Sequence, residues 1–297
     1  MQPFWWVLLF CLVALAVSLW GARALLHLLI LRGLRAPRVV HRLREDEPAS
    51  NGRAVRVPVA NGKSLFGWFA PVPGATDVPA VLVMHGWGAN AAMMTTCLAP
   101  LKSAGMAVLL LDARCHGLSD DARFTSLPRF AQDIRAGLDW LQQQPEVDSK
   151  RLAVIGHSVG AGAALLSAAQ GDAVQAVVSI SAFAHPYEVM RRFLAAKHIP
   201  YPVVGWYILK HVQNVIGSRF DDIAPLHSIK KVRCPVLLVH GTEDETVPFA
   251  DALRIQAAGC ANTVRLMGVA GDHDPSEALL EELPQIVEFL QRAFEGR

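Results

Sequence analysis

Several things are scarce in this 297-residue chain, and each scarcity closes off a class of function. The five cysteines, Cys11, Cys97, Cys115, Cys234 and Cys260, are odd in number, scattered and never spaced C-x-x-C. That pattern argues against a disulfide framework and against a thiolate zinc site, and it fits free thiols in a reducing compartment. Charge is thin as well. Charged residues make up 18% of the chain and sum to a formal net charge of +2, with no basic stripe interleaved with stacking aromatics. No nucleic-acid partner is implied. The 11 histidines include no H-E-x-x-H pair, so neither a metal nor a cofactor is expected. Internal repeats and low-complexity tracts are missing too, which leaves one large domain plus an appendage as the economical arrangement.

What is plentiful is apolar sequence, 52% of the chain, and part of it is concentrated at the start. Phe4 to Trp20 carries no charge, and Leu25 to Leu31 extends the run beyond Arg23. Up to Gly21 the run is short for a membrane span; taken through Leu31 it exceeds the roughly 20 residues a span needs. Trp5, Trp6 and Trp20 suit headgroup depth. A cleaved signal peptide is the competing reading. It finds little support, because no basic residue precedes the run and no small-x-small site ends it. Residues 1–35 are therefore expected to be a single-pass anchor in a membrane of the bacterial inner-membrane type. Arg23, Arg32, Arg35, Arg38, Arg42 and Arg44 all follow the run, which places the body of the chain on the cytoplasmic side. Residues 36–52 mix arginines, acids, Pro37 and Pro48, and read as a juxtamembrane linker.

Beyond residue 53, short apolar runs alternate with helix-period segments. Ala54 to Val59 and Ser64 to Ala70 read as a hairpin turning at Asn61-Gly62. Val81 to Met84, Ala107 to Leu111, Leu152 to Ile155, Ala173 to Ile180, Pro235 to Val239 and Thr263 to Met267 read as further strands. Asn90 to Ala104, Phe130 to Gln144, Phe249 to Ala258 and Ser276 to Phe294 read as helices. The alternation implies an α/β fold with a mostly parallel, doubly wound sheet.

The chemically pointed stretch is Gly156-His157-Ser158-Val159-Gly160, set between an apolar strand and a run of small, helix-compatible residues. A serine hydroxyl needs a fixed, exposed position and a neighbouring base to act as a nucleophile. A strand–turn–helix apex supplies the position: the two glycines let strand and helix approach, and the N–H of Val159 at the helix start points where an oxyanion would form. On the pentapeptide alone, a plain strand-to-helix turn is the competing reading.

Five motifs, in order, make residues 53 to 294 resemble the α/β-hydrolase family: His85-Gly86-Trp87-Gly88; Asp112-Ala-Arg114-Cys-His116-Gly117-Leu-Ser119; the turn at Ser158; His240-Gly-Thr-Glu-Asp244-Glu-Thr-Val-Pro248; and Gly271-Asp-His273. The resemblance implies a catalytic triad of Ser158, Asp244 and His273, with a second oxyanion-hole N–H from Trp87. It departs from the family at Cys115, where a glycine is usual. Asp112 and Arg114 are expected to brace their loop rather than to react, and Cys115 is not read as a nucleophile. Glu243 and Glu245, which flank Asp244, read as turn charges. The hydrolase domain is set at 53–297, with an insertion at about 182–232 that holds all three tyrosines of the chain and is expected to form a helical lid. The alternative there is a packed helical connector that never meets substrate.

The expected function is hydrolysis of a carboxylic ester or thioester through an acyl-enzyme, on a small-molecule or lipid-like acyl substrate. The alternatives are a serine peptidase on the same fold and a non-catalytic, membrane-bound binding module. No propeller segment supports the peptidase, and retention of all three triad residue types argues against the module. A dehalogenase would need a carboxylate in place of Ser158. Oligomeric state is not legible.

Overall fold

The structure is a computed structural model that describes residues 2–41, 43, 52–171, 174–274 and 276–296. Helix α1 (Gln2–Gly33) precedes a domain built on strands β1 (Arg53–Val59), β2 (Lys63–Ala70) and β3 (Val78–Met84). Helix α2 (Leu98–Ser103), β4 (Ala107–Leu111), α3 (Leu127–Leu141), β5 (Val147–His157), α4 (Val159–Ala169) and β6 (Ala176–Ile180) follow. The insertion contributes α5 (Pro186–Ala196), α6 (Trp206–Ile216), α7 (Phe220–Ile223) and α8 (Pro225–Ser228). The chain closes with β7 (Val236–Gly241), α9 (Phe249–Ala258), β8 (Val264–Val269) and α10 (Ser276–Phe294).

The eight strands form one sheet in the order β1-β2-β4-β3-β5-β6-β7-β8. The pairs β1–β2 and β2–β4 are antiparallel and the rest are parallel. Residues 107–111, 176–180 and 236–241 are buried throughout their strands, as a sheet covered on both faces requires. One apolar layer holds Leu82, Leu109 and Val154 beneath α3 and α4. The other holds Val83, Leu110 and Ile155 beneath α2 and α10. The chain steps from β3 to β4 on one side and then to β5 on the other. This reversal opens a crevice at the carboxyl ends of β3 and β5, the place where open α/β sheets bind ligands.

Asn61 and Gly62 have positive φ, 65° and 66°, in the three-residue connection between the paired Val59 and Lys63. The expected helix from Asn90 to Ala104 is instead a 3₁₀ segment, Ala91–Cys97, followed by α2. Pro100 explains the break. In a continuous helix its ring would collide with the carbonyl four residues back, whereas in the first turn of α2 it costs nothing. Likewise α3 starts at Leu127, three residues before the expected Phe130, because Pro128 sits in the first turn where its missing N–H is not needed.

Helix α1 is continuous through Gly33, and its side chains from Phe4 to Arg23 are all exposed. Its most apolar window has a mean hydropathy of 2.2, a length and composition shared by membrane anchors and signal sequences. Arg42 and residues 44–51, the greater part of the linker, lie outside the described residues, as does Ala173. Residues 34–41 do not hang free. Leu34 and Ala36 are buried, the Leu34 carbonyl accepts from Thr125 N–H at 2.9 Å, and His41 Nε2 lies 2.9 Å from Asp112 Oδ2.

Candidate active site

β5 delivers Ser158 at the carboxyl edge of the sheet, between β3 and β6. The turn there is too tight for side chains. A Cβ on Gly156 would collide with the Gly160 carbonyl, and one on Gly160 with the His85 carbonyl. Ser158 takes φ 53° and ψ −115°, a conformation L residues avoid unless their surroundings impose it. Its N–H donates to Ile180 O at 2.8 Å, so neighbouring β6 helps to hold the strained turn.

Asp244 and His273 arrive from the loops after β7 and β8, and the fold brings both to Ser158. His273 Nε2 is 2.9 Å from Ser158 Oγ, and His273 Nδ1 is 2.8 Å from Asp244 Oδ2. The Asp244 side chain is fully buried. Its Oδ1 accepts from Val247 N–H at 2.7 Å, and His240 Nε2 lies 3.3 Å from its Oδ2 while also contacting Val247 O at 2.8 Å. The carboxylate therefore has no freedom to turn away from the imidazole. Glu243 and Glu245 are exposed. Val159 opens α4, whose first N–H groups have no intrahelical partner. Gly86, just before Trp87, packs so closely that a Cβ on it would sit 3.1 Å from Ser158 Cβ. The backbone of the Gly86-Trp87 loop thus passes directly beside the serine. Among the described residues no group of three His, Cys, Asp or Glu side chains is placed to hold a metal ion. A cavity of about 1040 Å³ lies on the insertion, lined by His185, Tyr187, Glu188 and residues between Lys210 and Asp222, and Ser158, Asp244 and His273 do not line it.

A sequence profile of the prolyl oligopeptidase family matches residues 98–295, the stretch that carries Ser158, Asp244 and His273. The chain belongs to the prolyl oligopeptidase family. Its fold is that of the α/β-hydrolases, and it is a hydrolase of that superfamily. It is 33% identical over 229 residues to an uncharacterized protein of Mycobacterium tuberculosis, covering 77% of this chain and 74% of the relative. Among solved structures it is similar to an esterase of Pyrococcus furiosus, with a TM-score of 0.71 at 22% identity over 88% of this chain and 99% of the other. It is also similar to Est1E of Butyrivibrio proteoclasticus, solved with ferulic acid, at a TM-score of 0.66 and 22% identity over 82% and 100%. At those identities the two structures speak for the fold alone.

Four histidines that sequence reasoning left without a role surround this prolyl oligopeptidase-family site. His240 borders Asp244, as described above. His157, next to Ser158, donates from Nε2 to the His273 carbonyl at 2.9 Å and so ties the loop of His273 to the strand that leads to Ser158. Burial holds its pKa below the ordinary value, and the neighbouring His273 ring adds to the effect. His85 donates from Nδ1 to Gly86 O and accepts at Nε2 from Ala113 N–H at 3.0 Å. Burial, then the nearby His116, pushes its pKa down to about 4. His116 accepts at Nε2 from Gly88 N–H at 3.1 Å, and burial depresses it as well. Two buried neutral imidazoles thus clamp both ends of the Trp87 loop. Only the position of His157 beside the serine hinted at any of this.

The loop after β4 braces the same corner. Asp112 Oδ1 accepts from Ala91 N–H and Oδ2 from Leu118 N–H, each at 2.7 Å, in addition to His41. Burial alone would raise its pKa, but the bonds from His41, Leu118 and Ala91 hold it below the ordinary carboxylate value. Arg114 pairs with buried Asp133, Nε to Oδ1 at 2.8 Å. Cys115 sits at φ 67°, a left-handed position that accounts for the glycine usual there.

Proposed function

We propose that this protein is a serine hydrolase that cleaves a carboxylic ester or thioester through an acyl-enzyme on Ser158. One observation carries the reading: the unbroken hydrogen-bonded line from Asp244 Oδ2 through His273 to Ser158 Oγ, at 2.8 and 2.9 Å. His273 Nε2 takes the serine proton as Oγ attacks the acyl carbon, then returns it to the leaving oxygen or sulfur. Asp244 fixes the tautomer with the proton on Nδ1 and stabilises the imidazolium that forms. The Val159 and Trp87 N–H groups receive the tetrahedral oxyanion, each worth about 3–4 kcal/mol of barrier in comparable sites. Water then attacks the acyl carbon by the same proton route in reverse, freeing the acid and Ser158. Neither a metal nor a cofactor takes part in these steps.

Family membership favours a second reading, a peptidase using the same three side chains. We place α1 as a single membrane span with the catalytic body on the arginine-rich, cytoplasmic flank. A fluorophosphonate probe tests the nucleophile: wild type labels and Ser158→Ala does not. Absence of labelling in wild type, or equal labelling of the variant, removes the enzyme reading and leaves a binding module. Rates on nitrophenyl esters, acyl-CoA thioesters and peptide anilides then divide ester, thioester and peptide chemistry. External protease on intact cells tests topology, with the body expected to stay uncut.

A further inference from the structure

Helix α1 is not tethered at a distance from the site. Near its C-terminal end it meets lid helix α6, where His27 stacks on His211 with ring centroids 3.7 Å apart and His27 Nε2 lies 2.6 Å from Tyr207 Oη. The following residues run along the loops after β3 and β4. Pro37 packs at Gly88, Asn90 Nδ2 donates to Val39 O at 3.0 Å, and the Arg38 guanidinium donates to Gly117 O and Ser119 O, each at 2.8 Å. The lid, the Trp87 loop and the loop after β4 all leave the carboxyl ends of parallel strands. The apolar helix therefore departs from the same rim that carries Ser158.

Length fits this placement. Phe4 to Arg23 is the part of α1 that stays clear of the body, and at about 1.5 Å per residue it spans roughly 30 Å, one hydrocarbon core. From Leu26 onward α1 packs on the protein core. Beside that junction the lid turns large apolar side chains outward: Phe193, Val203, Val204 and Trp206 are 59, 75, 42 and 55% exposed. Leaving such side chains in water forgoes about 1.5–3 kcal/mol each. Exposed Arg191 on α5, Lys197 just beyond its end and Lys210 on α6 supply the charge that anionic headgroups attract. Trp206, the first residue of α6, lies next to the Tyr207–His27 contact and suits headgroup depth.

We infer that the lid is a second bilayer contact, seated in the headgroup layer through Phe193, Val203, Val204 and Trp206, so that the rim of the site opens onto the membrane and draws its acyl substrate from the lipid phase. The contact itself stands on the geometry of α1 and the lid. The choice of substrate rests on the ester-hydrolase reading above.

The full chain, reconstituted in phosphatidylcholine–phosphatidylglycerol vesicles, tests both parts. With Cys11, Cys234 and Cys260 replaced by serine, a fluorophore is attached at Val203→Cys or, for reference, at Lys150→Cys on the opposite end of β5. Nitroxide-bearing lipids should quench position 203 several-fold more than position 150. Equal quenching, or failure of the chain to float with the vesicles, overturns the contact. The double variant Val203→Asp/Trp206→Asp should keep fluorophosphonate labelling and hydrolysis of a soluble short-chain nitrophenyl ester. Its rate on a long-chain ester dissolved in the bilayer should fall about tenfold or more, the scale of losing one apolar side-chain insertion. An equal loss on both substrates, or none on either, overturns membrane delivery. If wild type fails to label, the ester-hydrolase reading falls, and the quenching comparison still decides the contact.

Discussion

The rim of the sheet and the lid above it are built by opposite rules. At the rim, backbone meets backbone: Gly156 touches Gly160, Gly160 touches the His85 carbonyl, and Asp244, His85 and Asp112 are buried among hydrogen-bond donors and acceptors. Each position there is fixed from several sides at once. Across the lid, α5 buries only Pro186 and Leu194, and α6 only Leu209 and Val212, while aromatic and charged groups face outward. The contrast separates two jobs. Proton transfer needs atoms held to fractions of an ångström, which a close-packed rim provides. Under the proposed function, selecting and admitting an acyl substrate needs surface and latitude, which a thinly anchored helical insertion provides.

The sharpest way to break that contrast is to ask whether a nearby carboxylate can stand in for the one at the rim. Asp244→Asn keeps the shape but offers an N–H where His273 Nδ1–H needs an acceptor, so the imidazole loses its working tautomer. We expect kcat to fall about 10⁴-fold with little change in Tm. Glu243→Gln and Glu245→Gln, one residue to either side but exposed, should leave kcat within about twofold, as surface changes do. Ester hydrolysis by the three variants side by side reads the result. A large loss in either glutamine variant would mean that the acid is not fixed where the hydrogen bonds put it.

Much of this was legible before any coordinates, for a reason that lies in the turns. The elbow at Ser158 and the loop carrying Asp244 each follow a buried apolar strand, the loop carrying His273 follows the half-exposed edge strand β8, and glycine marks spots where backbones must meet. A parallel sheet then puts all such loops on one edge, so topology alone brings distant residues together. The break in the helix from Asn90 was legible too, since Pro100 forbids a continuous helix, but helical spacing outweighed it. The roles of His85, His116, His157 and His240 were not legible, because each depends on a carbonyl, N–H or carboxylate that only the fold brings within reach. The docking of residues 34–41 was hidden for the same reason: an arginine-rich segment reads as solvated until Gly117, Ser119 and Asp112 are seen to receive it.

The rim's dependence on buried neutral imidazoles predicts acid sensitivity with a definite sign. In the unfolded chain His85 takes up a proton below its ordinary value of 6.5; in the folded protein it does so only near 4. The unfolded state therefore binds more protons in that window. Stability is complete above about pH 6.5 and falls as pH drops toward 4, by about 1.4 kcal/mol per pH unit and about 3 kcal/mol in all from this residue. His116 and His157 act in the same direction. Urea unfolding between pH 7 and pH 4.5 measures the slope. His85→Gln, whose amide can accept from Ala113 and donate to Gly86 without titrating, should flatten it by about one proton. An unchanged slope would mean that His85 is not the group being protonated.

The lid should give the smallest effect of all, provided the measurement is made away from lipid. Phe193 and Val203 are 59 and 75% exposed, so truncation to alanine removes far less buried area than a core truncation and opens no enclosed cavity. In detergent-free buffer with a fragment lacking α1, or in detergent with the full chain, each variant should unfold within about 0.5 kcal/mol of wild type. The Asp112→Ala variant, by contrast, strands the N–H groups of Ala91 and Leu118 together with His41, and should lose about 3 kcal/mol or more. Side chains that matter to the fold should show their cost in any solvent. Those on the lid should show theirs only where there is a bilayer to enter, and a Phe193→Ala variant destabilised in water would mean that the lid is core after all.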